Sequence, residues 1–411
     1  MQRFYPWVVL GIAFITVGAA FGCRSAFAVF LLAIIDEFHW SRSLVSGALI
    51  LGSVAWTTAA PVIGMLLDRF GPRIVLSSGA IIMASGFVVS SFTQNVVQFY
   101  LGMGFLVGLG FAAMPMTAQA AFISNWFVRM RGMAMGITAS GIGAGIFVIV
   151  PFTQWLVSTF GWRQAYLALA TLLCFLIAPL NLFFQRRSPQ ELGLAPDFGR
   201  SPAPHQPGTR GPAQAHQWTL RDALRTFRFW TFALAVLTGA IPLHMILIHQ
   251  VAAVSEAGFS KDVAAFALGL TGFFTAPSMI FLGTTSDRLG REWTYTFGSA
   301  AMIFAIGILL SLKDTSQTWM LYAFAPLFAF GFASRQSLYP TIAADLFHGK
   351  EFGAILGVFA LFIGAGAGLG PWLGGYLHDL SGTYTHGFWI AILLAVTSVI
   401  LVWVTGPRRY R

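Results

Sequence analysis

The chain has 411 residues, of which 57% are hydrophobic and only 9% are charged. Because a soluble domain has about a quarter charged residues, this composition excludes a soluble protein and predicts a membrane protein. The formal net charge is +10, but the basic residues lie in short segments between apolar runs, which argues against a nucleic-acid partner. The two cysteines, Cys23 and Cys174, each lie inside an apolar run, so no disulfide framework is expected.

Twelve apolar runs are long enough to cross a bilayer, since a spanning helix needs about 20 apolar residues. Backbone groups in lipid must bond within their own segment, so these runs are predicted to be helices. In chain order, the predicted helices 1 to 12 cover residues 7–35, 44–67, 74–93, 96–124, 132–158, 163–184, 229–254, 263–285, 293–312, 317–346, 353–377 and 386–406. The predicted fold class is an all-α membrane protein.

A polar segment at 185–228 divides the chain. It separates a predicted N-terminal six-helix bundle, residues 1–184, from a C-terminal bundle, residues 229–411. The segment contains a stretch rich in Pro, Gly and Ala, which is typical of a flexible linker. After it, Thr219 is predicted to cap a short helix that lies on the membrane surface with Leu220, Leu224 and Phe227 on one face.

The basic residues of the loops predict the orientation. When both termini and the linker are placed on one side, the other side receives only Arg42, Arg163, Lys261 and Lys313 of the Lys and Arg residues in loops. Positively charged loops stay in the cytoplasm, so both termini are expected there.

The two halves of the sequence repeat each other. Glu37 and Gly71 recur 219 positions later as Glu256 and Gly290, and several positions between them match as well. A parallel repeat of six helices is the signature of carriers whose two halves rock around a site at the middle of the membrane.

A short motif follows predicted helices 2 and 8. Its first copy contains Gly64, Asp68, Arg69, Gly71 and Arg73, and its second contains Gly283, Asp287, Arg288, Gly290 and Arg291. The spacing, present twice, resembles the signature loop of the major facilitator superfamily, which implies the major facilitator fold of two six-helix repeats. Because Asp and Arg can pair across the linker side, we predict a gate there formed by Asp68, Arg69, Arg73, Asp287, Arg288 and Arg291.

A narrower resemblance lies in the N-terminal half. The segment from Trp126 to Gly136, with its basic cluster, is similar to the monocarboxylate porter family. The segment from Glu37 to Arg42, with Gly161, Trp162 and Arg163, resembles bacterial members of that family. Predicted helix 8 lacks the Asp and Arg that many members place there. The resemblance implies a secondary transporter of a small organic anion in a bacterial inner membrane. We expect a monomer in contact with lipid, with no enzymatic activity, no metal and no cofactor.

Two basic residues remain inside predicted helices, Arg24 in helix 1 and Arg335 in helix 10. Each lies about 17 residues or more into its helix, near mid-depth, and no carboxylate of its own helix can reach it. An Arg at the bilayer centre costs about 2.5–3.5 kcal/mol. In the facilitator fold, helices 1, 4, 7 and 10 line the central cavity, and a guanidinium suits a carboxylate. We predict that the two arginines clamp the anion; the alternative is that one or both bond to backbone carbonyls near glycines.

Other polar residues on the same four helices complete the predicted substrate site: Thr117, Gln119, His244, Gln336 and Tyr339. An ordinary histidine titrates near neutral pH, so His244 and His249 are the predicted proton carriers; a structural role is the alternative for both. Coupling by proton symport and anion exchange both stay open. Export of amphipathic drugs is the alternative function, although it would be expected to use an acidic residue in the membrane part of the N-terminal half.

Overall fold

The computed structural model describes residues 4–127, 130–194, 218–347, 349 and 351–406. Within this part of the chain, ten helices are long and apolar enough to cross a membrane. One of them, Arg42–Ser91, contains two spans, because its helical geometry is broken at Gly71 (φ 76°) just before Pro72. A further 30-residue helix, Thr318–Phe347, carries Arg335. Together they give the twelve helices predicted from the sequence.

The helices are numbered here in chain order, and all twelve predicted segments are helical, with ends that differ by a few residues. Helix 1 is Tyr5–Ser25 continued by Phe27–Phe38; helices 2 and 3 are the parts of Arg42–Ser91 before and after Gly71; helix 4 is Val96–Phe99, Tyr100–Leu106, Val107–Ala112 and Met116–Trp126; helix 5 is Arg131–Phe160; helix 6 is Trp162–Leu172, Leu173–Ile177 and Ala178–Phe184; helix 7 is Phe227–Glu256; helix 8 is Lys261–Leu289; helix 9 is Arg291–Ser311; helix 10 is Thr318–Phe347; helix 11 is Phe352–Ser381; helix 12 is Thr385–Thr405.

Small residues let these helices pack with their backbones in contact. A methyl group added at Gly145 of helix 5 would collide with the backbone of Gly18 in helix 1. One added at Gly366 of helix 11 would meet Ala240 of helix 7. Close crossing of this kind replaces the hydrophobic driving force that is missing between helices in lipid.

The N-terminal half, helices 1 to 6, meets the C-terminal half along two seams. Helix 2 packs against helix 11, and helix 5 packs against helix 8. We call the side of the bundle that carries residues 185–228 the linker end, and the other side the opposite end. The close contacts of the seams include Gly143 with Gly272 and Thr57 with Gly364, and they continue to Gly375 beside Arg42 at the opposite end.

The linker is described only in part, and the predicted flexible stretch from Arg200 to His216 lies outside the described residues. The short helix spans Leu220–Leu224, and the Thr219 hydroxyl caps it by accepting from the Asp222 N–H at 3.2 Å. Leu220 and Leu224 pack against the apolar core of the C-terminal half. Phe227 is the first residue of helix 7 rather than part of this short helix, because Arg225 and Thr226 interrupt the helix between them.

Candidate functional site

A narrow cavity lies between the N-terminal and C-terminal halves. Residues from helices 1, 2, 5, 7, 10 and 11 line it: Phe21, Arg24, Ser25, Leu49, Ile146, His244, Leu247, Ile248, Phe332, Gln336 and Ala367. Its volume is about 40 Å³, which is space for water rather than for an organic acid. The halves must therefore separate at this level before a solute can enter.

Of the residues that the structure describes, Arg24 is the only Lys or Arg that lines this cavity. Its guanidinium carbon lies 4.8 Å from the ring centroid of Phe111 and 5.5 Å from that of Trp56. Cation–π contacts of this kind stabilise a guanidinium without using its N–H donors. Among the described residues, its hydrogen bond is a long one of 3.4 Å to the Ser53 hydroxyl, and no ion pair to it is found. Most of its donors therefore remain available to an anion in the cavity.

Arg335, by contrast, is 1% exposed and its donors are engaged by the protein. Nε donates to the Gly239 carbonyl at 3.1 Å, Nη1 to the Gly331 carbonyl at 2.9 Å, and Nη2 to the Ser299 hydroxyl at 3.2 Å. The ring of Tyr295 lies 5.3 Å from its guanidinium carbon. Arg335 thus joins helices 7, 9 and 10 of the C-terminal half and does not line the cavity. Of the two arginines of the predicted clamp, the structure brings only Arg24 to the cavity, and Arg335 makes the bonds to carbonyls of glycines that the alternative describes.

The two histidines of helix 7 also differ. His244 lines the cavity, and its Nδ1–H donates to the Ala240 carbonyl at 2.9 Å, which leaves Nε2 able to accept. His249 is fully buried away from the cavity. Its Nε2–H donates to the Pro371 carbonyl at 2.7 Å, and its Nδ1 lies 3.1 Å from the Tyr384 hydroxyl. Of the two predicted proton carriers, the structure brings only His244 to the site.

The remaining predicted substrate residues are scattered. Gln336 lines the cavity beside His244. Tyr339 is 6% exposed, and its hydroxyl lies 3.1 Å from that of Tyr295, within the core of the C-terminal half. Gln119 is fully buried and donates to the Met114 carbonyl at 3.4 Å, while Thr117 is exposed, and neither lines the cavity. Among the described residues, none of helix 4 lines the cavity in this conformation, so the structure does not bring Thr117 and Gln119 to Arg24.

The predicted gate residues lie at the linker end, and the bonds described for them run to residues of their own half or of the linker. Asp68 pairs with Arg187 at 3.9 Å, and Arg73 donates to the Leu182 carbonyl at 2.7 Å. Arg291 pairs with Asp345 at 2.9 Å. Arg69 lies over the ring of its neighbour Phe70 and Arg288 is exposed, while the side chain of Asp287 lies outside the described residues. In this conformation, the described bonds of Asp68, Arg73 and Arg291 do not join the N-terminal bundle to the C-terminal bundle.

Sequence reasoning missed the side chains that hold Arg24. Phe111, Trp56 and Ser53 are uncharged residues of apolar helices, and nothing in their local pattern distinguishes them from lipid-facing or packing residues. The spacing of Ser53 and Trp56, which are three positions apart on helix 2, places them on one face. Such a face identifies a partner for Arg24 only once the helix positions are known.

The comparisons with known proteins agree with this architecture. The family described as Major Facilitator Superfamily matches residues 12–257 and 231–411. Human monocarboxylate transporter 2 is 26% identical over 99% of this chain and 86% of its own length. Monocarboxylate transporter 13 of Bos taurus is 28% identical over 97% of this chain and 89% of its own length.

Among solved structures, a bacterial homolog of the human lysosomal transporter Spinster, in an inward-facing and unoccupied conformation, has a similar fold. The TM-score is 0.72, with 15% identity over 99% of this chain and 98% of the other. Family, relatives and fold agree. The chain belongs to the major facilitator superfamily, and it is a transporter rather than an enzyme.

Proposed function

We propose that this protein carries a small monocarboxylate across the membrane by alternating access, with Arg24 as the residue that binds the carboxylate. The observation that carries the proposal is the state of Arg24, which is half-buried on the cavity wall and held by aromatic rings. A buried charge without a protein counter-ion is costly, and an anionic solute would supply one. Arg335 is bonded to the protein outside the cavity, so the cavity offers a single arginine, Arg24. A single arginine favours a solute with one carboxylate over a solute with two.

The other cavity residues fit a solute with one charged end. Gln336 and Ser25 offer hydrogen-bonding groups, whereas Phe21, Leu49 and Phe332 offer apolar surface for a short carbon skeleton. The printed names of the curated relatives, monocarboxylate transporters 2 and 13, support the same solute class.

We propose proton symport as the coupling mode, with His244 as the proton carrier. Its Nε2 has no partner among the described residues, and His244 shares the cavity wall with Arg24. A proton on Nε2 would place a second positive charge beside Arg24, which is tolerable only when the carboxylate is bound. Proton and anion would then bind and leave together. Anion exchange is the alternative if His244 does not titrate.

The proposal also includes orientation and gating. The linker end faces the cytoplasm of a bacterial cell, as the basic loop residues favour, and the protein acts as a monomer surrounded by lipid. In the other state of the cycle, in which the cavity is open to the outside, the halves are joined at the linker end by the six gate residues Asp68, Arg69, Arg73, Asp287, Arg288 and Arg291. The N-terminal bundle 1–184 and the C-terminal bundle 229–411 move as two bodies connected by 185–228.

A thermal-shift screen of the purified protein tests the solute class. A bound ligand raises the unfolding temperature by an amount that grows with the logarithm of its concentration relative to its Kd. We expect acetate, lactate or pyruvate to stabilise the protein more than succinate or oxalate, and more than amphipathic cations. Stabilisation by dicarboxylates alone, or by cationic drugs alone, would overturn the proposal.

A further inference from the structure

A network of charged and polar groups joins the halves at the opposite end, and Arg42 is at its centre. Arg42 Nη2 donates to Glu256 Oε1 at 2.5 Å, and Nη1 donates to the Tyr384 hydroxyl at 2.8 Å. The backbone N–H groups of Arg42 and Ser43, at the start of helix 2, donate to the two carboxylate oxygens of Asp379 at 2.9 and 2.8 Å. One short segment of helix 2 thus bonds to residues of helix 7, helix 11 and the N-cap of helix 12.

The network extends inward from Arg42 through Tyr384. The Tyr384 hydroxyl accepts from Arg42 and donates to His249 Nδ1 at 3.1 Å. Burial raises the pKa of Tyr384, so its hydroxyl keeps the proton that it donates. The ring of Tyr384 is 5% exposed, and His249, which donates to the Pro371 carbonyl, is fully buried. The bonds of Arg42 are therefore anchored in the core of the C-terminal half.

The internal repeat supplies a second, weaker pair. Lys261 stands 219 positions after Arg42, at the same point of the other half, and it donates to Asp36 at 2.7 Å. The side chains of this pair are 48% and 61% exposed, whereas that of Arg42 is 15% exposed. Exposed ion pairs contribute about 0–1 kcal/mol, while bonds between charged groups that are partly shielded from water are stronger. Arg42 is therefore the stronger of the two links.

We propose that Arg42 is the lock of the opposite end: its bonds hold this end shut, and they must break whenever the cavity opens to that side. The two carboxylates of the network, Glu256 and Asp379, are exposed at the rim of the bundle, where water replaces their lost bonds once the end opens. A lock at this position can break and form again in each cycle. The inference goes beyond the proposed function, because it concerns access to the cavity whatever the solute is.

Accessibility of a cysteine placed in the cavity tests the lock. Ile248 lines the cavity and is 4% exposed. In a variant with Ile248→Cys and Cys174→Ser, the cavity cysteine reacts with a membrane-impermeant maleimide only when the cavity is open to it. The maleimide is added to sealed vesicles on the side that the opposite end of the protein faces, and the labelling rate is measured. We expect Arg42→Ala to raise the labelling rate about tenfold or more, since a loss of 1.4 kcal/mol from the closed state multiplies the open population by ten. The parent without Ile248→Cys retains buried Cys23 and gives the background.

Arg163→Ala is the matched control. Arg163 lies at the same end and pairs with Glu37 at 2.7 Å, but both residues belong to the N-terminal half. Its removal changes the surface charge equally and should leave the labelling rate at the parent value. An unchanged rate in Arg42→Ala, or an equal rise in Arg163→Ala, would overturn the proposal. If Arg42→Ala yields no folded protein, Glu256→Gln takes its place, since it keeps the size of the side chain and removes its charge. A labelling rate that rises in Glu256→Gln but not in Arg163→Ala would support the proposal, and an unchanged rate in Glu256→Gln would overturn it.

Discussion

The two arginines inside the membrane, one in each half, have different surroundings. Arg335 of helix 10 bonds to two backbone carbonyls and two hydroxyls and is 1% exposed. Arg24 of helix 1 lies against the rings of Trp56 and Phe111, with a single long hydrogen bond to Ser53. Among the described residues, the same residue type thus makes four hydrogen bonds in one half and a single long one in the other.

The difference shows that the surroundings of a buried arginine determine whether its guanidinium stabilises the fold or is available to bind a ligand. A buried guanidinium whose donors are satisfied contributes to packing and cannot bind a ligand without losing those bonds. A guanidinium that is held by the faces of aromatic rings is fixed in position, while its N–H donors stay available to a ligand. The depth of an arginine in the membrane does not tell which of the two roles it has. The groups that contact its guanidinium do.

The largest effect is expected for Arg335→Ala. The substitution removes a large buried side chain and leaves the carbonyls of Gly239 and Gly331 without this donor. Truncation of a large buried side chain costs about 2–5 kcal/mol, so folded protein should be lost or should unfold at a much lower temperature. Size-exclusion chromatography and thermal unfolding measure this. A variant as stable as the parent that only fails to transport would restore Arg335 to the substrate site.

Arg24→Ala should behave in the opposite way. The protein should fold and insert normally, because removal of a nearly unbonded charge relieves its burial cost. Transport should fall about 10- to 150-fold, which corresponds to the 1.5–3 kcal/mol of a hydrogen bond to a charged group. Uptake of a labelled monocarboxylate into vesicles measures the loss, with Arg163→Ala as the charge control. Arg24→Lys should recover only part, since a point charge lacks the two-pronged geometry.

His244→Gln sharpens the comparison within the cavity. If His244 carries the proton, its loss should reduce accumulation driven by an acid-outside pH gradient several-fold and spare exchange of labelled for unlabelled solute, which needs no net proton movement. His249→Gln is the matched control, because His249 is bonded at both nitrogens outside the cavity. Persistence of pH-driven accumulation in the double variant would assign coupling to another group or to anion exchange.

The smallest effect is expected for Tyr339→Phe. Its hydroxyl contributes a hydrogen bond to Tyr295 in the core of the C-terminal half, so stability should fall by about 1 kcal/mol. Transport per folded molecule should stay at the parent value. A raised KM with unchanged stability would return Tyr339 to the substrate site.

The sequence predicts the fold well because the lipid allows few alternatives. Apolar length fixes the helices, and the repeat around Asp68 and Asp287 fixes the pairing of the halves. The site is predicted less well, because a one-dimensional pattern gives the depth of Arg24 and Arg335 but not their neighbours. The carbonyl of Gly239 and the ring of Phe111 come from distant helices, and only the packing brings them to the two arginines.

The role of Arg42 shows the same limit. In the sequence it is one of four basic residues on the opposite side, and its repeat partner Lys261 has the same sign of charge. Only the structure shows that Arg42 bonds to Glu256 and Tyr384 of the other half, with 15% of its side chain exposed.

The central claim is that Arg24 alone of the two membrane arginines binds the anion. Equilibrium binding of one radiolabelled monocarboxylate to purified parent, Arg24→Ala and Tyr339→Phe proteins tests it most directly, because binding needs neither a gradient nor a complete cycle. The account predicts parent affinity in Tyr339→Phe and at least about tenfold weaker binding in folded Arg24→Ala. Parent affinity in folded Arg24→Ala would contradict it.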